Sequence, residues 1–168
     1  MDIRSKILEL TDLPRQETGD HWVDYRRVDD QESERIKAAT GLEVTGFIHM
    51  IDKSAVNHIL NKHGPGNETR GGSIPVTRED IARIPEITAT ADSIVYEGKS
   101  KRLRLEVIRY RKRENGITFV VVEVRNGRRK LAVITMYKVA TGGTDAVVAE
   151  QEAPASTSET VPSPPPTI

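Results

Sequence analysis

The sequence contains no cysteine, which excludes disulfide bonds, zinc–thiolate sites and cysteine nucleophiles. It has no apolar run near the roughly 20 residues that a membrane-spanning helix needs. The first ten residues, MDIRSKILEL, are too charged for the apolar core of a signal peptide. Aromatic residues are only 4% of the chain, which counts against modules that stack single-stranded bases on aromatic side chains. We therefore expect a soluble, cytoplasmic protein that does not bind membranes.

The net charge of zero hides an uneven distribution. Residues 93–138 hold 13 Lys/Arg against four Asp/Glu, whereas residues 1–45 hold seven against 11. Such a local positive charge attracts polyanions and is typical of nucleic-acid-binding surfaces. A solvated face of basic hairpins would give the same pattern, so the charge alone leaves both interpretations open.

Composition and element order divide the chain into three parts. We predict a helical extension over residues 1–42, a main domain over residues 43–139 and a disordered tail over residues 140–168. The tail is acidic and rich in Pro, Ser and Thr, so it has too little apolar surface to form a core. In the main domain helices precede strands, which predicts an α+β fold with N-terminal helices packed on a four-stranded antiparallel meander.

Capping residues set the predicted helix boundaries. Asp30 caps a helix that stops at Gly41, and a second helix begins at Asp52 or Ser54 and ends at His63.

A third helix begins with the capping pair Thr77 and Asp80, contains Ile81 and Ile84, and is expected to end at Pro85. A strand is predicted over residues 44–51, before the second helix. The later predicted strands are residues 93–97, 103–112, 117–125 and 131–139, with Asn-Gly turns at 115–116 and 126–127.

Two histidines lie on the helix that ends at His63. His58 and His63 are about 140° apart around a helix of ~3.6 residues per turn, so they do not share a face. A zinc pair on one helix needs a spacing of three or four residues, and we therefore predict no metal site and no cofactor. His63 lies in the last turn, where the helix dipole favours the protonated ring. A structural role in capping the helix is the competing interpretation.

The predicted strands supply further candidates for chemistry. By alternation, Thr135 and Tyr137 point to one side of their strand and Lys138 points to the other. Glu123 interrupts an apolar run, so it either faces water or pairs with a cation such as Arg109. Each of these residues could equally lie on an ordinary solvated sheet.

This inventory suits one reaction class. Metal-independent RNA cleavage needs a base for the 2′-hydroxyl proton, an acid for the leaving 5′-oxygen and cations around the phosphorane. Histidine, glutamate, arginine, lysine and a hydroxyl supply those roles.

Several sequence segments together resemble a known nuclease family. They are TGFIHMID at 45–52, NHIL at 57–60, KHG at 62–64, PVTREDI at 75–81, IP at 84–85, VEVR at 122–125 and TMYK at 135–138. The family is the phage-associated branch of the barnase–EndoU–colicin–RelE superfold. The resemblance covers about residues 40–139 and implies helices packed on a four-stranded antiparallel sheet, with endoribonuclease activity.

The resemblance also implies a site formed by the helix histidine and polar residues of the last strands. The expected catalytic residues are His63, His58, Thr135, Lys138, Glu123, Arg109 and Tyr137. Nearby basic residues are expected to bind substrate, namely Lys62, Arg111, Lys112 and Arg125. We expect His63 to act as base or acid, Lys138 and Arg109 to clamp phosphate, and Thr135 to orient it.

Partners follow from the same resemblance. They are RNA such as tRNA, an immunity or inhibitor protein, and a larger phage polyprotein, with the protein in the cytoplasm or delivered into a target cell by a phage or secretion system. Two alternatives stay open: a non-catalytic nucleic-acid-binding module that uses only the basic strands, and a structural phage protein with no affinity for nucleic acid.

Overall fold

A seven-stranded mixed sheet organises residues 1–67 and 72–140, the part of the chain that the computed structural model describes. The helices of this part are α1 (Ile3–Asp12), α2 (Asp30–Thr40), α3 (Lys53–His63), α4 (Arg78–Ala82) and α5 (Ile84–Ala89). The strands are β1 (Trp22–Arg27), β2 (Ile48–Asp52), β3 (Ser73–Ile74), β4 (Ser93–Lys99), β5 (Glu106–Arg113), β6 (Ile117–Arg125) and β7 (Lys130–Val139). The predicted disordered tail lies outside the described residues, apart from residue 140.

The strand order is β1-β2-β7-β6-β5-β4, and β3 pairs with β7 off this path. All pairings are antiparallel except that of β2 with β7. The predicted α+β class is confirmed. The predicted four-stranded antiparallel sheet is too small, because the meander β4–β7 is extended by three further strands into a mixed sheet.

The sheet has two faces with separate apolar clusters. The main core lies under the helices and includes the β6 side chains of Val120, Val122 and Val124. The opposite side of the sheet is hereafter called the second face. It carries a smaller apolar cluster, which consists of Val107, Ile117, Phe119, Val121, Tyr137 and Val139. Alternation along β6 explains the division, because successive side chains of a strand point to opposite faces.

A bulge between β6 and β7 adjusts which β7 residues reach each face. The register shifts between Val121, opposite Thr135, and Val122, opposite Val133. Val133 packs in the main core, whereas Thr135 shares the second face with Val121 because directly opposite residues lie on one side of a sheet.

The first 42 residues contribute to the same core as the rest of the described chain. Ile7 and Leu10 of α1 and Ile36 of α2 are buried in the main core, and β1 pairs with β2. The division at residue 42 remains a prediction. The sequence did not predict β1, because half of the residues in its WVDYRR segment are charged.

Most helix boundaries follow the predicted capping pattern. Gly41 ends α2 with a φ of 81°, and α3 begins after the N-cap Asp52 and ends at His63. The predicted cap Asp30 was wrong by one residue, because the side chain of Asp29 accepts from the Glu32 amide and Asp30 is the first residue of α2. Thr77 and Asp80 form a capping box at the start of α4.

The prediction that Pro85 ends a helix was wrong, because α4 stops at Ala82 and Pro85 lies in the first turn of α5. Proline is tolerated there, since the first amide of a helix has no acceptor within the helix.

Candidate active site

His63 is fixed at the C-terminal end of α3 by tight backbone packing. The helix follows β2 directly and packs against β7. The Val76 amide donates to the His63 carbonyl at 2.7 Å, and the Gly64 amide donates to the carbonyl of Leu60 at 3.1 Å. A Cβ on Gly64 would overlap that same carbonyl oxygen, so only glycine allows this close approach.

A continuous series of ring contacts leads from α3 onto the second face. The centroid of the half-buried His63 ring lies 6.2 Å from that of His58 and 5.7 Å from that of Tyr137. Tyr137 in turn stacks on Phe119 at 4.9 Å. The guanidinium carbon of Arg109 lies 4.9 Å from the centroid of the Phe119 ring, a distance at which the cation is attracted to the π-system. Both histidines are thus connected to a cation on β5.

Strand register extends this series into two rows across β7, β6 and β5. The rows are Tyr137–Phe119–Arg111 and Thr135–Val121–Arg109. Their side chains share the second face, because opposite residues in adjacent strands lie about 5 Å apart on one side. The Thr135 hydroxyl is buried and has no hydrogen-bond partner among the described residues, an arrangement that costs stability.

The carboxylates of the second face do not pair as predicted. Glu123 accepts from Arg125 at 3.0 Å, not from Arg109. Arg109 instead lies 3.3 Å from Glu97 of β4. Burial raises the pKa of Glu97, and the neighbouring Arg109 opposes that shift. The predicted Glu123–Arg109 pair was wrong because β4 supplies Arg109 with a closer carboxylate.

Other predicted residues lie away from these rows. Lys138 points to the helix side and donates to Asp80 at 3.1 Å, and Lys112 donates to the Thr90 carbonyl at 3.3 Å. Lys62 is exposed on α3. The structure therefore brings His58, His63, Thr135, Tyr137, Arg109 and Arg111 together, with Glu123 and Arg125 further along the same face, while Lys138 and Lys112 lie on the other face.

A buried polar cluster between α2 and the helix side of the sheet was not predicted. Glu32 accepts from Arg26 at 2.6 and 3.2 Å and from the Tyr110 hydroxyl at 2.8 Å. Its Oε2 also lies 2.9 Å from Nε2 of His49, which is fully buried. Arg26 donates to Thr88 at 3.0 Å as well. His49 offered a signal in the sequence, because a histidine within an apolar strand needs a polar partner.

Burial and pairing act in opposite directions on this cluster. Burial raises the pKa of Glu32, but hydrogen bonds from His49 and Arg26 outweigh it and lower the pKa from 4.5 to about 2. Burial lowers the pKa of His49. Burial, aided by the adjacent Glu32 carboxylate, raises the pKa of Tyr110 well above its usual value. Glu32 is therefore the charged partner of Arg26 at neutral pH.

Metal and membrane features are both lacking in residues 1–67 and 72–140. In these ranges no three histidine, aspartate or glutamate side chains are grouped so as to hold a metal ion. No helix in the same ranges has the length and hydropathy of a membrane span.

Comparison with known families identifies the family of the chain. The family model of the phage-Barnase-EndoU-ColicinE5/D-RelE like nuclease3 family matches residues 26–146, which is more than half of the chain. The chain belongs to this nuclease family. No significant match was found among curated proteins or among solved structures.

The match to this nuclease family confirms the resemblance inferred from the sequence. It spans both histidines of α3, both rows of the second face and the buried cluster around Glu32. It begins within β1, so α2, β2 and all later elements of the sheet lie inside the matched range.

Proposed function

We propose that the protein is an endoribonuclease that cleaves RNA without a metal, by attack of a 2′-hydroxyl on the adjacent phosphate. The observation that carries this proposal is the series of contacts from His63 through Tyr137 and Phe119 to Arg109 on one face of the sheet. This series places a titratable imidazole on the same face of the sheet as the cations that would hold a phosphate. Membership of the nuclease family supports cleavage of nucleic acid as the general activity.

The proposed reaction exchanges one phosphorus–oxygen bond for another. The 2′-oxygen bonds to phosphorus as its proton passes to a base, and the P–O5′ bond breaks as an acid protonates the leaving oxygen. His58 and His63 are suited to share these roles, because their ring centroids lie 6.2 Å apart. A positioned acid or base contributes about 10²–10⁴-fold to such a reaction.

The remaining second-face residues would hold the phosphate. Arg109 and Arg111 would stabilise the charge that builds on the phosphorane oxygens, which is the role of preorganised cations in phosphoryl chemistry. The Thr135 hydroxyl would donate to a phosphate oxygen. Tyr137 would fix the orientation of His63 through their ring contact.

The test is cleavage of total RNA and of a synthetic hairpin by the purified chain in excess EDTA. The variants are His63→Ala and His58→Ala, with His21→Ala as the matched control, since His21 is a half-exposed histidine close to Glu17 and outside the second face. We expect cleavage in EDTA by the parent chain and by His21→Ala, and losses of at least about 100-fold in the other two.

A second substrate tests the chemistry of attack. The same hairpin carrying a single 2′-deoxynucleotide at the cleaved position should resist cleavage there, and cleavage should return when the 2′-hydroxyl is restored. Cleavage of the deoxy substrate, or loss of activity in EDTA with recovery on adding Mg²⁺, would overturn the proposed mechanism. Tight RNA binding with no cleavage by any variant would favour the non-catalytic binding module.

A further inference from the structure

The connection between β4 and β5 presents a group of cations on a hydrogen-bonded loop. Lys101, Arg102, Leu103 and Arg104 are exposed, and Leu103 at the tip is 58% exposed. The buried Ser100 closes the base of the loop. Its amide donates to the Leu105 carbonyl at 2.8 Å, and its hydroxyl accepts from the Leu105 amide at 3.1 Å. The loop is therefore held in shape by its own backbone.

The charges of this loop have no ionic partners among the described residues. No carboxylate in residues 1–67 and 72–140 forms an ion pair with Lys101, Arg102 or Arg104. Two cations next to the neighbouring β6–β7 turn differ, because Arg129 donates to the Thr45 carbonyl at 3.1 Å and Lys130, the first residue of β7, pairs with Asp24 at 2.6 Å. Like charges that are held close together and unpaired repel one another, so the charges of this loop lower the stability of the folded protein.

The backbone of the loop also carries strain. Arg104 has a φ of 56°, in the left-handed region that non-glycine residues avoid. Its amide donates to the Ser100 carbonyl at 3.0 Å. The same conformation occurs at Asn115 and Arg129 in the other two hairpin connections, so it fixes the course of the turn.

Strand direction places this loop at the end of the sheet away from His63. The β4–β5 and β6–β7 connections lie at one end, and the row containing Phe119 lies near the other. Phe119 and Arg125 are six steps apart along β6, a distance of about 20 Å at ~3.4 Å per residue. Arg109 lies on the second face between the two ends, and Arg125 lies on the same face at the loop end.

We propose that the Lys101–Arg104 loop binds backbone phosphates of a double-stranded RNA stem that flanks the cleavage site. This inference rests on the proposed ribonuclease function and specifies its substrate. The loop and the row that contains Phe119 lie at least about 20 Å apart along the strands, which is farther than a single nucleotide spans. A stem keeps its phosphates at fixed spacing and so reaches both the loop and the histidines at once.

The surface composition favours a stem over a single strand. Proteins that bind single strands stack successive bases on several aromatic side chains. In the described residues the exposed large aromatics are Trp22 and Tyr96. Trp22 lies on β1 at the far edge of the sheet, and the hydroxyl of Tyr96 donates to Glu106. The loop instead offers point charges, which recognise phosphates without reading bases.

The test uses the double variant Lys101→Glu/Arg102→Glu in the full chain. Its control is Arg4→Glu/Lys6→Glu, which makes the same change of charge at two exposed residues of α1. Each protein is assayed on a dinucleotide, on a single-stranded 20-mer and on a hairpin that holds the same cleavable sequence beside its stem. Binding of the hairpin is measured in parallel by fluorescence anisotropy from 50 to 300 mM salt.

We expect the loop variant to raise KM for the hairpin at least tenfold while kcat, and kcat/KM for the dinucleotide, stay within twofold of the parent. The slope of log affinity against log salt should fall by about two, one for each phosphate that the variant no longer neutralises. The control should match the parent in every assay.

Equal losses of kcat/KM on the single strand and on the hairpin would contradict the proposal that the loop binds a stem. A loss of kcat/KM on the dinucleotide would show that the loop is not separate from the reacting groups. An equal effect of the control variant would show that only the net charge of the protein matters, and not the position of the loop. If the parent cleaves none of the substrates, the proposed function fails, but a selective loss of hairpin binding would still support the loop as a stem-binding surface.

Discussion

The ring of His63, in the last turn of α3, lies 5.7 Å from the ring of Tyr137 in β7, with the two planes inclined by 36°. One residue belongs to the helical first half of the chain and the other to its last strand. The contact joins a titratable group to the second face of the sheet, and the proposed chemistry depends on it.

Substitution of Tyr137 separates its ring from its hydroxyl. Tyr137→Phe keeps the stacking on both His63 and Phe119, so we expect RNA cleavage within about tenfold of the parent if the ring orients the histidine. Tyr137→Ala removes a side chain that is only 4% exposed and should cost about 3–5 kcal/mol of stability. Urea denaturation and single-turnover cleavage measure the two effects. A Phe variant as inactive as His63→Ala would assign the hydroxyl a direct part in the reaction.

Substitutions of Arg109 on the second face and of Lys138 on the helix side should differ in their effects on cleavage and stability. Arg109→Met keeps an unbranched apolar stem but removes the charge over Phe119, and we expect kcat to fall by about 10²–10³-fold, as for loss of one group that stabilises transition-state charge. Lys138→Met removes the ion pair with Asp80 on the helix side, so we expect lower stability and cleavage within about threefold. Equal losses of kcat would show that Lys138 reaches the phosphate, as its assignment as a phosphate clamp requires.

Gly64 should be intolerant of any side chain. In Gly64→Ala the new Cβ overlaps the Leu60 carbonyl oxygen, and overpacking of this kind costs about 1–3 kcal/mol. Because the displacement falls on the turn that holds His63, cleavage should fall together with the melting temperature. Gly127→Ala is the control, since a Cβ there meets nothing within 4 Å. Parent-like cleavage by Gly64→Ala would show that the position of His63 does not depend on this turn.

The buried cluster should be a major source of stability. Glu32→Ala leaves the partly buried Arg26 without its carboxylate, and breaking a buried ion pair costs about 3–5 kcal/mol. Glu34→Ala, an exposed position on the same helix, should change stability by less than about 0.5 kcal/mol. Urea denaturation followed by circular dichroism compares the two. Similar losses of stability in the two variants would mean that the desolvation cost of the buried cluster cancels its favourable interactions.

The same cluster predicts acid sensitivity. The pKa of Glu32 is lowered from 4.5 to about 2, so its contribution is complete above pH 4.5 and is lost as the pH falls towards 2. The pKa of His49 is lowered by burial, so its contribution is complete above its ordinary value of 6.5 and declines as the pH falls below it. Free energies of unfolding between pH 8 and 2 should therefore decrease on acidification, first below about 6.5 and again below 4.5. His49→Gln should remove the part of the decrease that begins near pH 6.5, and an unchanged profile would exclude His49 as its source.

Local signals predicted much of the chain and long-range contacts account for the rest. The bounds of β6 were predicted because its β-branched run stands between two Asn-Gly turns, and α3 because Asp52 and Gly64 mark its ends. β1 was not predicted, since three of its six residues are charged and its place in the sheet comes from pairing with β2. For the candidate site, the face shared by Thr135 and Tyr137 followed from alternation.

The meeting of His63 with Tyr137 did not follow from any local pattern. It depends on the parallel pairing of β2 with β7, which the sequence did not indicate. The cluster around Glu32 was missed for a similar reason, because Arg26, His49 and Tyr110 reach it from three different strands.

The parallel pairing of β2 with β7 has a consequence for the newly synthesised chain. It is limited to three residue pairs, Ile48–Lys130, His49–Leu131 and Met50–Ala132, and its partners are far apart in sequence, which is the type of contact that forms late in folding. During synthesis from the N-terminus, α3 and its histidines leave the ribosome long before β7 exists. The face that carries the proposed ribonuclease site is therefore assembled only after residue 139 has emerged, and a translating ribosome is not exposed to its activity while the first half of the chain is being made.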